Sequence, residues 1–181
     1  MIEYIKSDVY RYCGDFCFLS FIKLFLKYRY FRFQCSLRMC NGKGLSKFFG
    51  KVLYALTRRK DIVISYKTKI GYGLYIGHGG PVIINNTAVI GNNCNLSPFV
   101  VIGSNNNTAA TIGDNVYLGP HVCVVENVEI SDNVTIGAGS VVTKNIPKNA
   151  TAVGNYAKVI NYDNPAKYIK NKWNKDTKNH Q

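Results

Sequence analysis

Large aliphatic residues recur every six positions through the middle of the chain, and this period determines the predicted fold. A glycine often follows the aliphatic residue, and a small or branched residue usually stands two positions before it. The aliphatic positions are Ile64, Ile70, Ile76, Ile84, Ile90, Leu96, Ile102, Ile112, Leu118, Val124, Ile130, Ile136 and Val142. Each unit therefore predicts a very short strand with two inward side chains, followed by a turn rich in Gly and Asn. An α-helix would need apolar residues three and four positions apart, which this segment lacks.

The short units predict a solenoid. Strands of this length cannot form a stable hairpin sheet, but they can stack on equivalent strands of the next coil. Three six-residue sides close a triangular coil, so residues 61–160 predict a parallel β-helix with an aliphatic ladder inside. An ordinary β-sandwich is the alternative, but its turns would come every ~8–12 residues.

The repeat is interrupted twice, and both interruptions predict outward loops. The first adds two residues to the turn around His78, between Ile76 and Ile84. The second adds four residues to the Asn-rich segment 104–110. Because loops inserted into a solenoid commonly carry its function, these two turns are the first places to look for a site.

Residues 1–60 differ from the repeat in both charge and composition. They hold thirteen Lys and Arg against three acids, in a chain whose net charge is +13. Their aromatic residues follow steps of three and four, which predict amphipathic helices with a break near 41–44. We expect this segment to cap the open end of the β-helix. Such a composition also suits peripheral contact with a membrane surface. It would suit nucleic-acid phosphates as well, but we do not expect the protein to bind nucleic acid.

Composition limits the remaining classes. The six cysteines form no CxxC pair and the three histidines form no zinc-binding pattern, so we expect no bound metal. We expect the protein to be in the reducing cytoplasm, where it can also associate with the inner face of the membrane. The longest apolar run, 16–26, is eleven residues long, whereas a membrane-spanning helix needs about 20. Residues 161–181 form a basic tail that we expect to fray.

Four segments of the repeat resemble the hexapeptide-repeat acyltransferases, and in particular their serine acetyltransferase branch. The segments are 69–78, 87–91, 136–142 and 153–160, which read KIGYGLYIGH, TAVIG, IGAGSVV and VGNYAKVI. The resemblance covers residues 62–160. It implies that the parallel β-helix is left-handed, that acetyl-CoA is the acyl donor, and that the protein is a homotrimer with active sites between subunits.

The same resemblance implies the catalytic residues. His78 stands at the position of the family's general base, which deprotonates the acceptor hydroxyl, and histidine has the side-chain pKa nearest neutrality. The carboxylate that orients this base in the family falls on Val63 here, and Asp61, two residues earlier, can point to the same face. His121, in another turn, is the weaker candidate for the base.

Acyl-CoA is implied to lie in a groove between subunits, bonded to backbone groups at small residues. By motif position, the predicted cofactor-binding residues are Pro120, Ala138, Gly139 and Ser140, with Lys144 and Lys158 as phosphate partners. The two lysines follow a long stretch without cations. Either one can equally be a solvated surface charge.

The acceptor is predicted from the second inserted loop. The family's serine-binding Arg–His pair lies just before the unit at Ile112, where this chain has neither residue. A serine carboxylate calls for a cation, whereas the neutral side chains of Asn105 and Asn106 suit sugar hydroxyls. We therefore expect an O-acetyltransferase that acts on a sugar or lipid-linked oligosaccharide in surface polysaccharide biosynthesis, similar to those of capsule and lipopolysaccharide pathways. A serine O-acetyltransferase of cysteine biosynthesis is the alternative.

Overall fold

The computed structural model describes residues 1–58 and 61–174, and places four helices before the strands. The helices are α1 Ile2–Cys13, α2 Phe18–Lys27, α3 Arg29–Cys40 and α4 Gly44–Thr57. The strands are β1 Ile62–Ile64, β2 Lys69–Ile70, β3 Tyr75–Ile76, β4 Val82–Ile84, β5 Val89–Ile90, β6 Asn95–Leu96, β7 Val100–Gly103, β8 Thr111–Ile112, β9 Tyr117–Leu118, β10 Cys123–Val125, β11 Glu129–Ile130, β12 Thr135–Ile136, β13 Val141–Val142, β14 Thr151–Val153 and β15 Lys158–Asn161. The predicted helix break near 41–44 is the connection between α3 and α4.

The strands form three sheets, one for each side of the triangular coil. Sheet A contains β1, β4, β7, β10 and β13; sheet B contains β2, β5, β8 and β11; sheet C contains β3, β6, β9, β12, β14 and β15. Pairing is parallel except between β14 and β15, which are antiparallel. The chain makes about five turns, and the predicted left-handed parallel β-helix with a helical N-terminal segment is confirmed.

The six-residue period is the inward ladder of the solenoid. In sheet A the pairs Ile64–Ile84 and Ile84–Ile102 stack directly on one another. The other sheets repeat this arrangement, and the inward aliphatic side chains of the ladder are almost completely buried: Ile64, Ile84, Ile102, Val124, Val142, Ile90, Ile112, Ile130, Ile76, Leu96, Leu118 and Ile136. Burial of this apolar surface is the main stabilisation of the domain.

Asparagines build the turns that join sheet B to sheet C. Asn93, Asn115, Asn133 and Asn149 occupy this turn in successive coils, each with φ between 55° and 66°. Asn tolerates this left-handed conformation better than most residues, and its amide can also bond to its neighbours. Asn115 Nδ2 donates to Asn133 Oδ1 at 2.9 Å, and Asn133 Nδ2 donates to Asn149 Oδ1 at 3.0 Å. This corner is therefore a structural ladder.

Helix α1 supplies hydrogen-bond partners to the first coil, which has no coil before it. Backbone groups at such a sheet edge need partners when they are buried. The Asp8 Oδ1 atom accepts from Leu74 N at 2.9 Å. The Tyr12 hydroxyl accepts from Ile76 N at 3.1 Å and lies 3.2 Å from Ile76 O, to which it can donate. Side chains of α1 thus replace a missing strand next to β3.

Helix α3 continues this replacement. Gln34 Nε2 donates to Leu74 O at 2.7 Å, and Arg38 Nη1 donates to Ile70 O at 2.8 Å. Arg38 also forms a buried ion pair with Asp8, with 2.8 Å between Nε and Oδ2. The two helices therefore close the open end of the β-helix with a polar network as well as with apolar packing.

The C-terminal tail departs from the expectation that it frays. Ala166 N donates to Asn133 O at 2.9 Å, and Trp173 N donates to Asn93 Oδ1 at 2.8 Å. The Tyr168 ring lies 4.8 Å from that of Tyr117 in sheet C. The tail packs here because the Asn corner offers amide partners beside apolar rings. His180 and its neighbours from 175 onward lie outside the described residues.

Candidate active site

His78 lies in the first inserted turn, between β3 and β4. Its backbone has φ 54°, inside a short 3₁₀ turn from Gly77 to Gly79, and its side chain is exposed. Gly79 also has a positive φ of 59°, and a Cβ there would collide with the ring of Tyr30. The glycine is therefore required both by the backbone and by the approach of α3. This packing presents the imidazole to solvent on a constrained turn.

A cavity of about 360 Å³ lies beside the imidazole, between the turn and the helices. Four tyrosines line it together with His78: Tyr12, Tyr28, Tyr30 and Tyr75. Burial is the main cause of a strongly raised pKa for the Tyr12 phenol, so this hydroxyl stays protonated, and its proton is directed to Ile76 O or Gln34 Oε1. The cavity can thus hold a small molecule against the imidazole. A larger cavity of about 450 Å³, between α3 and β2, contains none of the predicted site residues.

Asp61 lies one coil before the His78 turn. It directly precedes Ile62, which pairs with Val82, and its backbone oxygen accepts from Val82 N at 2.9 Å. The carboxylate therefore starts from the same edge of sheet A as the turn that carries His78. Its role in orienting the imidazole stays a prediction.

Successive turns from sheet C to sheet A form a column, which we call the C–A corner: 77–81, 97–99, 119–121 and 137–140. Phe99 and His121 occupy it in the coils after His78, and their rings stack at 4.4 Å with an interplanar angle of 11°. At the usual spacing of about 4.8 Å between coils, His121 lies two coils, or about 10 Å, from His78. The structure therefore separates the two histidines.

Most of the predicted acyl-CoA contacts lie higher on this same corner. Pro120 O accepts from Gly139 N at 2.8 Å, and Gly139, with φ 68°, faces open space. Ala138 is adjacent. Ser140 differs, because its side chain is fully buried and its Oγ accepts from Gly154 N at 3.0 Å. The Ser140 hydroxyl thus holds the terminal hairpin, and the cofactor-binding roles of Pro120, Ala138, Gly139 and Ser140 stay predictions.

The two predicted phosphate partners lie at different edges of sheet A. Lys158 is exposed in β15, opposite Val153, close to the C–A corner. Lys144 is exposed in the turn that leaves sheet A for sheet B, after β13. One chain therefore does not bring the two ammonium groups together.

The second inserted loop folds around Glu126, an acid that the sequence pattern alone does not single out. Ser104 Oγ donates to Glu126 Oε2 at 2.7 Å, Asn106 Nδ2 donates to the same oxygen at 2.6 Å, and Asn105 N donates to Oε1 at 3.3 Å. The Ser104 bond and then the Asn105 bond lower the pKa of the Glu126 carboxyl. The pairing of strands in sheet A could have identified this acid. Gly103 pairs with Val125, so the next residue, Glu126, lies beside Ser104, the first residue of the loop.

This loop belongs to the turns from sheet A to sheet B, which we call the A–B corner: 65–68, 85–88, 104–110, 126–128 and 143–145. It therefore lies at the opposite edge of sheet A from His78. Asn105 and Asn106 keep their predicted substrate role only as a prediction, and within one chain the sheet separates them from the base. Among residues 1–58 and 61–174, no group of three or more His, Cys, Asp or Glu side chains could hold a metal ion. None of the helices in these ranges is long and apolar enough to cross a membrane.

Residues 109–144 match the family model described as "Bacterial transferase hexapeptide (six repeats)". The chain is 38% identical to serine acetyltransferase 3, mitochondrial, of Arabidopsis thaliana over 107 residues, which are 56% of this chain and 27% of that protein. It is 36% identical to the serine acetyltransferase of Synechococcus elongatus over 96 residues, 51% of this chain and 39% of that one. The chain thus spans well under half the length of these two relatives.

The fold is similar to that of soybean serine acetyltransferase complexed with serine, with a TM-score of 0.67 and 25% identity over 86% of this chain and 67% of that one. The resemblance to hexapeptide-repeat proteins of the serine acetyltransferase-like branch is therefore confirmed.

The expected sugar acceptor is wrong. The relatives and the solved structure named above are serine acetyltransferases, which favour the alternative acceptor and remove the support for polysaccharide biosynthesis and for a lipid-linked substrate. The prediction of a sugar rests on the composition of the loop before Ile112 alone. In the structure, the amide groups of that loop bind Glu126, so the loop's neutral composition reflects its own folding.

Proposed function

We propose that this chain, a hexapeptide-repeat protein of the serine acetyltransferase-like branch, transfers an acetyl group from acetyl-CoA to the hydroxyl of L-serine. The transfer chemistry in this proposal rests on one observation, the exposed imidazole of His78 on a constrained turn beside a tyrosine-lined cavity. Serine as the acceptor is supported by the serine acetyltransferases to which the chain is similar. An imidazole near neutral pH accepts a proton well, and a thioester is already activated, so one base suffices to start the reaction.

The chemistry needs His78 to hold one proton for a short time. The imidazole takes the proton from the serine hydroxyl while that oxygen attacks the thioester carbonyl carbon. The C–S bond then breaks, and the CoA thiolate takes the proton back from the imidazolium. Asp61, at the same edge of sheet A, orients the ring and stabilises its charged form in this proposal. The products are O-acetylserine and CoA, with the base regenerated.

Acetyl-CoA lies along the C–A corner in this proposal, with its thioester at His78. The corner rises from His78 past Pro120 and the exposed Ala138 to Gly139, whose Cα faces open space, and ends near Lys158. Backbone amides and one ammonium group are the partners that a pantetheine arm and its phosphates require.

A trimer completes the site. The outward side chains of sheet A form an unbroken apolar ladder, Val63, Ile83, Val101, Cys123 and Val141. Sheet C is covered by helices and tail, and the ladder of sheet B carries Lys69, Thr111 and Glu129. A threefold arrangement that turns sheet A inward buries this ladder and brings the C–A corner of each copy to the A–B corner of the next. His78 then faces Asn105 and Asn106 of the neighbouring copy, and Lys144 approaches Lys158.

Val101→Glu tests this arrangement. Val101 is the central residue of the ladder, so three carboxylates would be buried around the axis at a cost of several kcal/mol each, roughly. We expect sedimentation equilibrium to show a trimer for the wild type and a monomer for Val101→Glu, with acetyl transfer lost. Thr111→Glu, on exposed sheet B, is the control and should remain trimeric. A monomeric wild type, or a trimeric Val101→Glu, contradicts the assignment of sheet A.

L-Alanine provides the matched control for the acceptor, since it has the same ammonium and carboxylate groups but no hydroxyl. We expect L-serine to drive release of the CoA thiol from acetyl-CoA, with a kcat/KM of about 10⁴ M⁻¹s⁻¹ or more, as is usual for enzymes. L-Alanine should not raise the release above background. If L-serine is no better than L-alanine, serine is not the acceptor.

A further inference from the structure

The two outer helices expose more apolar surface than a solvated helix carries. Helix α2 exposes three large apolar residues, Phe18, Leu19 and Leu26, at 71%, 77% and 72%. Helix α4 exposes Leu45 and Leu56 at 76% and 73%, with Phe48, Phe49 and Val52 between them. Contiguous apolar patches on a protein surface mark interaction sites, whereas single exposed residues do not.

These side chains do not belong to the cap on the β-helix. Helix α3 forms the inner layer, and its residues Phe31, Phe33 and Leu37 are buried. Helix α4 packs on α3 through Gly50, where a Cβ would lie 2.6 Å from Cys40 N. By helical periodicity, Leu45, Val52 and Leu56 project from the side of α4 away from that contact. The apolar stripe of α4 therefore faces outward.

Cations accompany both stripes. Lys23 and Lys27 are exposed on α2, and Lys47 and Lys51 are exposed on α4. Residues 1–60 carry thirteen Lys and Arg against three acids. Pairing this surface with a second copy of itself would bring like charges together, whereas an anionic surface complements it. An apolar stripe flanked by lysines is the pattern of a helix that lies in a membrane interface.

We propose that α2 and α4 dock the protein on an anionic lipid bilayer, with the apolar stripes at the acyl boundary and the lysines at the headgroups. Trimer formation would strengthen this membrane contact, and that part of the argument rests on the trimer described under the proposed function. Because the coils stack along the prism axis from the helical end, a trimer about a parallel axis presents its three helical ends on one side. Three weak contacts then act together on a flat surface.

Vesicle flotation tests the docking surface, with phosphatidylcholine vesicles and with vesicles that also contain phosphatidylglycerol. We expect the wild type to bind the phosphatidylglycerol vesicles only, and to lose most of this binding at high salt. Each lysine near an anionic surface contributes about fivefold to binding. Lys47→Glu with Lys51→Glu should therefore weaken binding at least about 30-fold, and the tail variant Lys167→Glu with Lys172→Glu is the charge-matched control. Leu45→Ser should weaken it about tenfold, with the exposed Ile160→Ser as control.

The proposal is overturned if the wild type does not bind phosphatidylglycerol vesicles, or if the control variants lose as much binding as the helix variants. It is also overturned if the solution mass is that of two trimers and Leu45→Ser halves it, because the stripe then contacts a second copy. Flotation needs neither acetyl-CoA nor an acceptor, so failure of the membrane contact and failure of the acetyltransferase assignment are separate results.

Discussion

His78→Ala should lower acetyl transfer by about 10²–10⁴-fold, the range in which a general base contributes. The acceptor hydroxyl loses its proton acceptor, which raises the barrier by about 3–5.5 kcal/mol. The imidazole is exposed on an inserted turn outside the aliphatic ladder, so its removal leaves no cavity and the melting temperature should be unchanged. Affinity for acetyl-CoA should change little, since the proposed groove lies along later coils.

His121→Ala is the matched control. This histidine lies on the same corner two coils from His78, has the same left-handed backbone, and stacks on Phe99 of the adjacent coil. It should retain nearly full turnover. Release of the CoA thiol and the dissociation constant of acetyl-CoA are to be measured for both variants and the wild type. Should His78→Ala keep more than about a tenth of the wild-type turnover, the base has been misassigned and His121 takes its place.

The fold could be predicted from the sequence because each coil of a solenoid repeats the same pattern of inward and outward residues. Every sixth aliphatic residue is inward, and the ladder from Ile64 through Ile84 to Ile102 follows from counting alone. The position of His78 in an exposed turn was predictable for the same reason, since two extra residues cannot fit inside the coil. The repeat alone therefore predicts which residues are inward and which turns are exposed, without knowledge of contacts between distant segments.

Contacts between distant segments could not be predicted in this way. Nothing in the sequence pairs Tyr12 with Ile76, or Trp173 with Asn93, because each contact joins polar groups that have no period. The wrong prediction of a sugar acceptor has the same cause, because it depends on a contact that the repeat does not reveal. The neutral composition of the loop at Asn105 and Asn106 predicts a surface for ligand hydroxyls, whereas its donors bind Glu126 in the structure. A missing cation in one loop says nothing about groups that other segments or other copies supply.

Asp8→Ala should destabilise the protein by about 3–5 kcal/mol, because it breaks a buried ion pair from one side only. Asp8 accepts from Arg38 Nε at 2.8 Å and from Nη2 at 2.9 Å, and both side chains are almost fully buried. The same carboxylate accepts from Leu74 N at 2.9 Å. The variant therefore leaves an uncompensated guanidinium and an unpaired backbone N–H at the junction between α1, α3 and β3. The free energy of unfolding in urea, at one protein concentration, measures the loss.

Asp15→Ala is the control, since it removes an exposed carboxylate from the loop just after α1 and should cost less than about 0.5 kcal/mol. The double variant Asp8→Ala with Arg38→Met removes the buried charge together with its partner. It should recover part of the loss, although Arg38 also bonds Ile70 O, so recovery stays incomplete. Because Leu74 lies only four residues before His78, Asp8→Ala should also reduce turnover below that of Asp15→Ala at temperatures where both variants are folded. Equal stabilities for Asp8→Ala and Asp15→Ala would mean that the helical cap does not depend on this pair.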